Sequence, residues 1–232
     1  MSVGNRIFTK RQMPDKTLIE RLAQIPAANI ADTMGRSCAM HPRIRLMSGF
    51  SGIFAGPALT VKARAGDNLF IHQALDMAEP GDVIVVSNEE DQRRSLMGEI
   101  MFTYAMNQRR LGGLVLDGPV RDVDALRAMP LPVYATGSTP GGPYKEGPGE
   151  INVPIACGGV SVNPGDIILG DLDGIIVIPQ KDVQAVLEAA EELHKADAAK
   201  VLAAQNGTAN RAWVMKTLES KKTEFVDDVY KY

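Results

Sequence analysis

Cysteine and histidine are scarce: the 232 residues contain two of the first and three of the second. Cys38 and Cys157 stand far apart, in apolar or glycine-rich surroundings and without a Cys-x-x-Cys spacing. They read as small buried residues, not as a disulfide or a zinc site. His41, His72 and His194 have no partner at metal-ligand spacing, which argues against a zinc hydrolase. No basic block occurs. The 25 Lys and Arg are interspersed with 28 Asp and Glu for a formal net charge of -3, so neither nucleic acid nor an anionic membrane is an expected partner. No apolar run is long enough to span a bilayer, and the polar opening "MSVGNRIFTKRQMPDK" lacks the apolar centre of a secretory signal. A cytosolic protein is the expectation. No G-x-G-x-x-G and no Walker-type lysine follows an apolar run, and Gly56 and Gly66 read as turns, so nucleotide binding finds no support.

What the chain has instead is short apolar runs: "ALTVKARA", "DVIVVS", "GLVLDG", "LPVYAT", then "VPIACGGVSV" and "DIILGDLDGIIVIP". Each reads as a strand. Helical spacing covers Leu18 to Met34, Asn68 to Met77, Leu96 to Arg109, and a long stretch from Lys181 to Asn206-Gly207. A layered α/β sandwich fits this order better than a strictly alternating dinucleotide-binding sheet. One domain over residues 1–207 is expected, with a helical tail over 208–232. That tail carries Trp213, Phe225 and two tyrosines, an aromatic surface that needs cover from its own core or from a neighbouring subunit. "GSTPGGPYKEGPGEIN", Gly137 to Asn152, has five glycines and three prolines and reads as an irregular loop, either mobile or near a substrate; Lys145 is its only cation.

The densest chemistry lies in "GLVLDGPVRDVDAL". A buried strand, Leu114 to Leu116, ends at Asp117-Gly118-Pro119, and charged residues follow: Arg121, Asp122 and Asp124. In open α/β sheets ligands bind at the carboxyl ends of strands. Upstream, Gly98-Glu99 opens the helix "EIMFTYAMNQRR", whose first N–H groups, at Ile100 and Met101, can receive a carboxylate. If that helix starts beside the strand's end, Arg121 would clamp the same anion with its planar fork. Asp122 and Glu99 would then supply oxygen ligands for a cation of the magnesium type. A capping glutamate plus a surface Arg–Asp pair is the bland alternative.

The order Gly-Glu, helix, strand ending in Asp-Gly, then Val-Arg-Asp resembles the 4-hydroxy-4-methyl-2-oxoglutarate and 4-carboxy-4-hydroxy-2-oxoadipate aldolases. That family also includes proteins like the regulator of ribonuclease E activity. "IADTMGR", "FAGPALTVKARAGDNLFIHQAL", "PGDVIVV" and "INVPIACGGVSVNPGDIILGDLDGIIVIP" extend the resemblance over nearly the whole chain. It implies a class II pyruvate aldolase with an αββα-type sandwich, a C-terminal helical extension, Mg²⁺ or Mn²⁺ as cofactor, a small 2-oxo acid as substrate, and assembly as a homotrimer or homohexamer. Oxaloacetate decarboxylation is the expected side reaction, since it passes through the same pyruvate enolate. Arg121 would bind the pyruvate moiety and Asp122 the metal directly; Glu99 would hold a metal-bound water; Gly98, Ile100 and Met101 would form the carboxylate site.

Two departures from the family pattern concern spacing. Glu99 and Arg121 enclose one residue more than family members do, and because one residue inside a helix turns everything beyond it by about 100°, the insertion is placed at Gln108 to Leu111. The family also supplies a C-terminal glutamate from a neighbouring subunit, a role that falls in this chain to Asp197, to Glu192 or to no residue. Two rival functions stand beside the metal aldolase. One is a Schiff-base aldolase on Lys62 or Lys145, with no feature nearby that would lower a lysine pKa. The other is a non-catalytic regulator that binds a ribonuclease.

Overall fold

From the amino end of the computed structural model, which describes residues 3–230, the first half alternates strands and helices. It contains β1 (Arg6–Ile7), α1 (Lys16–Leu22), α2 (Ala27–Thr33), β2 (Arg45–Leu46), β3 (Phe54–Ala63), α3 (Leu69–Met77), β4 (Val83–Ser87), α4 (Glu99–Asn107), β5 (Gly113–Leu116), α5 (Val123–Arg127) and β6 (Val133–Ala135). Strands follow: β7 (Gly149–Ile151), β8 (Ile155–Cys157), β9 (Val160–Val162), β10 (Ile167–Asp171) and β11 (Gly174–Ile178), then α6 (Val183–Gln205) and α7 (Ala212–Ser220). The chain divides into two compact units, Met1–Glu192 and Leu193–Tyr232.

In the first unit β3, β4, β5 and β6 pair in parallel in chain order, each joined to the next through one of α3, α4 and α5. Successive side chains of a strand point to opposite faces, and the core separates accordingly. Ile84 and Val86 of β4, with Leu114 and Leu116 of β5, pack under Ile71, Phe102 and Leu126 of the three connecting helices. Val83, Val85 and Val115 face the other way, onto the β8–β9 and β10–β11 hairpins through Ile155, Val162, Ile168 and Val177. The outer face of β10–β11, Ile167, Leu169, Ile176 and Ile178, is covered by Leu22, Ile30, Val183 and Leu187 of α1, α2 and α6. The order is helix, sheet, sheet, helix, an αββα sandwich. Strand β3 belongs to both sheets: residues 54–57 pair with β10 and residues 58–62 with β4.

Four sequence expectations need correction. The helical spacing from Leu18 to Met34 is two helices, because Pro26 has no N–H to donate and disfavours helix in the residue before it; Asp15 caps the first by accepting from Thr17 N at 2.8 Å. Helix α4 starts at Glu99, not Leu96, since Leu96 N–H is drawn to Pro119 O at 2.8 Å. Gly56 lies inside β3, not in a turn; a Cβ there would stand 2.3 Å from Gly81 O, so the glycine permits close backbone approach. The glycine-rich stretch is irregular only up to Pro148, because Gly149–Ile151 pairs with β3 and β1 as strand β7. The end of α4 is also irregular: Arg110 takes φ 51° and Leu111 N–H reaches Ala105 O at 3.1 Å.

Candidate active site

Two loops at the carboxyl ends of β4 and β5 are zipped together. Leu96 N–H donates to Pro119 O at 2.8 Å and Arg121 N–H to Met97 O at 3.0 Å, so Arg121 and Asp122 stand at the start of α4. Asp122 takes φ 59°, a left-handed backbone in which Asp and Asn are enriched. That turn sends its side chain away from α5, the helix it precedes, and back to α4, where Oδ2 accepts from Glu99 N at 2.9 Å. Arg121 Nε lies 3.6 Å from the same oxygen. Gly98 is what allows this approach: a Cβ built on it would fall 2.4 Å from Asp122 Oδ2 and 2.9 Å from Arg121 Nε. The first N–H of the helix is therefore taken by Asp122, and Met101 N–H donates to Gly98 O at 3.0 Å. Among the described residues Ile100 N–H has no acceptor within the chain, and its residue is 84% exposed.

The pair opens onto a cleft of about 320 Å³ whose lining includes Gly98, Ile100, Met101, Arg121, Asp122 and Lys145. A shallower depression of about 330 Å³, bordered by Ser138, Thr139 and Pro140, adjoins the other side of Arg121 and Asp122. Glu99 contributes its backbone N–H, and its exposed carboxylate has no partner among the described residues. Asp197 lies in the second unit and pairs with Lys200 at 2.8 Å.

The glycine-rich loop forms one wall and is tied down by residues outside it. Asp67, 1% exposed, accepts from Glu146 N and Gly147 N at 2.7 and 2.9 Å. Arg94 donates to Gly142 O at 2.8 Å and Ser95 Oγ to Gly141 O at 2.8 Å, while Tyr144 N–H and C=O bond Gly66 O and Asn68 N. These bonds place Asn68 and His72 in the cleft beside Lys145. Neither residue was a sequence candidate. An asparagine before a helix and a lone histidine within one are commonplace, and their meeting with Lys145 depends on bonds between segments nearly eighty positions apart. Burial lowers the His72 pKa, and the positive charge of Lys145 lowers it further against the opposing pull of Asp76.

Asp117 has a different task from its neighbours in the turn. It is 4% exposed, accepts from Arg43 at 3.2 and 3.0 Å and from Gly158 N at 2.9 Å, and so ties β5 to the chain before β2 and to the β8–β9 hairpin. Asp117→Ala is expected to lower stability by about 2–3 kcal/mol, since it strands Gly158 N–H and removes one partner of a shielded pair. Urea unfolding beside the parent checks this, and an unchanged midpoint would refute the assignment. Both cysteines are buried and free, and burial pushes the Cys157 thiol far above its ordinary range, so neither is a ready nucleophile.

Residues 27–177 match the model of the RraA-like family described as Aldolase/RraA. The chain belongs to the Aldolase/RraA family. A Halalkalibacterium halodurans relative named "Putative 4-hydroxy-4-methyl-2-oxoglutarate aldolase" is 36% identical over 201 residues, 86% of this chain and 95% of the relative. Among solved structures, Streptomyces coelicolor RraAS2, titled an unusual member of the RNase ES inhibitor RraA protein family, superposes with TM-score 0.72 at 25% identity over 81% of this chain and 97% of its own. An uncharacterised Pseudomonas syringae protein shares the fold with TM-score 0.74 at 22% identity, covering 85% of this chain and 96% of its own. The Aldolase/RraA fold thus accounts for the sandwich. Among the described residues no helix is long and apolar enough to cross a membrane.

Proposed function

We propose that this protein is a divalent-cation-dependent lyase that cleaves 4-hydroxy-2-oxo di- or tricarboxylic acids to pyruvate and a second oxo acid, with oxaloacetate decarboxylation as a side reaction. The observation that carries this reading is the placement of Arg121 and Asp122, on the β5–α5 turn, against the amino end of α4 in one cleft. A planar guanidinium beside a helix N-terminus matches the adjacent carboxylate and oxo oxygens of a 2-oxo acid.

The residues fit the cation that the family implies. Asp122 commits only Oδ2, to Glu99 N–H with Arg121 Nε nearby, and the exposed Glu99 carboxylate has no partner among the described residues. Carboxylates are hard oxygen donors, which suit Mg²⁺ or Mn²⁺ better than zinc, although among the described residues no group of three or more His, Cys, Asp or Glu gathers in one place. Asp122 would bind the ion directly and Glu99 through water. When bound, the ion supplies positive charge beside the 2-oxo oxygen.

Arg121 holds the carboxylate and oxo oxygens of the substrate, and Ile100 N–H with the helix dipole behind it receives the carboxylate. The C3–C4 bond then breaks. Its electron pair forms the pyruvate enolate, the C4 hydroxyl becomes a carbonyl, and its proton passes to a water held by Glu99. Protonation of the enolate at C3 gives pyruvate. Oxaloacetate loses carbon dioxide through the same enolate without surrendering a hydroxyl proton.

Pyruvate release from 4-hydroxy-2-oxo acids and oxaloacetate is expected to cease in excess chelator and return with Mg²⁺ or Mn²⁺. Full turnover in chelator, or borohydride trapping of pyruvate on a lysine, would overturn the metal-dependent reading. The ribonuclease inhibitor named in a relative's title is the second reading; it predicts that no acid in the panel is cleaved.

A further inference from the structure

A further wall of the cleft is built from the start of α3 and the glycine-rich loop. Asn68 stands at the amino end of α3 and His72 one turn later, four residues apart and hence on the same face. The Asn68 side chain cannot turn freely: Nδ2 donates to Leu96 O at 2.9 Å and touches Met101 Sδ at 3.5 Å, both from cleft-lining residues. Its orientation leaves Oδ1 without a donor, although the residue is 2% exposed. Native proteins seldom leave a buried carbonyl oxygen unpaired, and this one belongs to a residue that lines the cleft. Lys145 projects from the loop held by Asp67, and among the described residues it forms no ion pair. This wall thus offers one acceptor, one ammonium and one imidazole, the complement of a ligand that carries a hydroxyl and an anionic group.

We propose that Asn68, His72 and Lys145 form the subsite for the part of the substrate released as the second oxo acid. Asn68 Oδ1 accepts the hydrogen bond of the C4 hydroxyl, and Lys145 with His72 binds the carboxylate beyond it. The assignment rests on the aldolase reading above. It gives the two walls separate duties: the Arg121 wall recognises what every substrate shares, and the Asn68 wall recognises what distinguishes one substrate from another.

The test uses the full chain with Mg²⁺ and two variants. Asn68→Ala is assayed on 4-hydroxy-2-oxoglutarate and on oxaloacetate, which has no hydroxyl. Its kcat/KM is expected to fall by about tenfold or more on the hydroxy acid, the scale of one lost hydrogen bond, and to stay within about threefold on oxaloacetate. Equal losses on both would show a merely structural role and overturn the assignment. Lys145→Met is expected to weaken calorimetric binding of 2-oxoglutarate, which carries a second carboxylate, by about tenfold while leaving pyruvate binding unchanged. Unchanged 2-oxoglutarate binding, or an equal loss for pyruvate, would overturn the cationic part. If the parent cleaves no hydroxy acid, the aldolase reading fails and the Asn68 role falls with it, whereas the calorimetric result still decides the carboxylate site.

Discussion

Arg121→Lys is expected to lower kcat/KM for pyruvate release by about 10²–10³-fold, and added Mg²⁺ should not restore it. The charge survives, but a lysine presents a point where arginine presents a fork, and the proposed reaction needs two oxygens of one 2-oxo acid fixed at once. Asp122→Asn should fail differently. Asparagine tolerates the left-handed backbone at φ 59° and can still accept from Glu99 N–H, so the melt should move little. The lost negative charge should appear as weaker apparent metal affinity, partly repaired at high Mg²⁺. If the two were only an exposed ion pair, worth about 0–1 kcal/mol, neither substitution would change turnover. Rates against Mg²⁺ concentration, beside thermal melts, separate these outcomes. Parent-like turnover of oxaloacetate by both variants would remove Arg121 and Asp122 from the site.

Gly98→Ala should be nearly as damaging, though it adds a single methyl group and touches no charge. Gly98 has φ -139°, a conformation open to alanine, so the backbone itself does not forbid the change. The obstruction lies with its neighbours, because Asp122 Oδ2 at 2.4 Å and Arg121 Nε at 2.9 Å both have to retreat. Displacement of about 1 Å in a catalytic group can cost about 10²-fold in rate, and a loss of that order in kcat/KM is expected. The accompanying loss of stability should be small, about 1 kcal/mol if the bond to Glu99 N–H breaks. Steady-state kinetics with a melt checks the pair of effects. A Gly98→Ala enzyme with full activity would mean that Arg121 and Asp122 work without the close approach seen between them.

The strands and a layered α/β arrangement were legible because burial forces apolar runs, and the runs at Val83–Val86 and Leu114–Leu116 are almost unbroken, whereas the αββα order came from the family resemblance. Arg121 and Asp122 drew notice as charge crowded at a strand's carboxyl end, but that pattern alone fitted a surface ion pair equally well, and only the family resemblance gave them roles. Their meeting with Gly98 was a supposition in sequence, since it depends on backbone bonds from residues 96–97 to residues 119–121. That Asp122, not a ligand, occupies the Glu99 N–H depends on a single left-handed residue that no periodicity reveals. Asn68 was invisible for a further reason: what singles it out is an unpaired Oδ1, a property of its surroundings that residue type does not carry.

The bonds that hold the glycine-rich loop have a consequence for how such an enzyme can change. Asp67, Arg94 and Ser95 grip the loop by its backbone, at Gly141 O, Gly142 O, Glu146 N and Gly147 N, and Asn68 N–H adds Tyr144 O. None of those atoms belongs to a side chain of the loop. Residues 143 and 145 can therefore be exchanged without disturbing the path that presents them, while the anchoring residues sit apart, just before α3 and in the approach to α4. If the proposed subsite is right, diversifying these two positions together should yield proteins with altered preference among oxo acids far more often than unfolded ones.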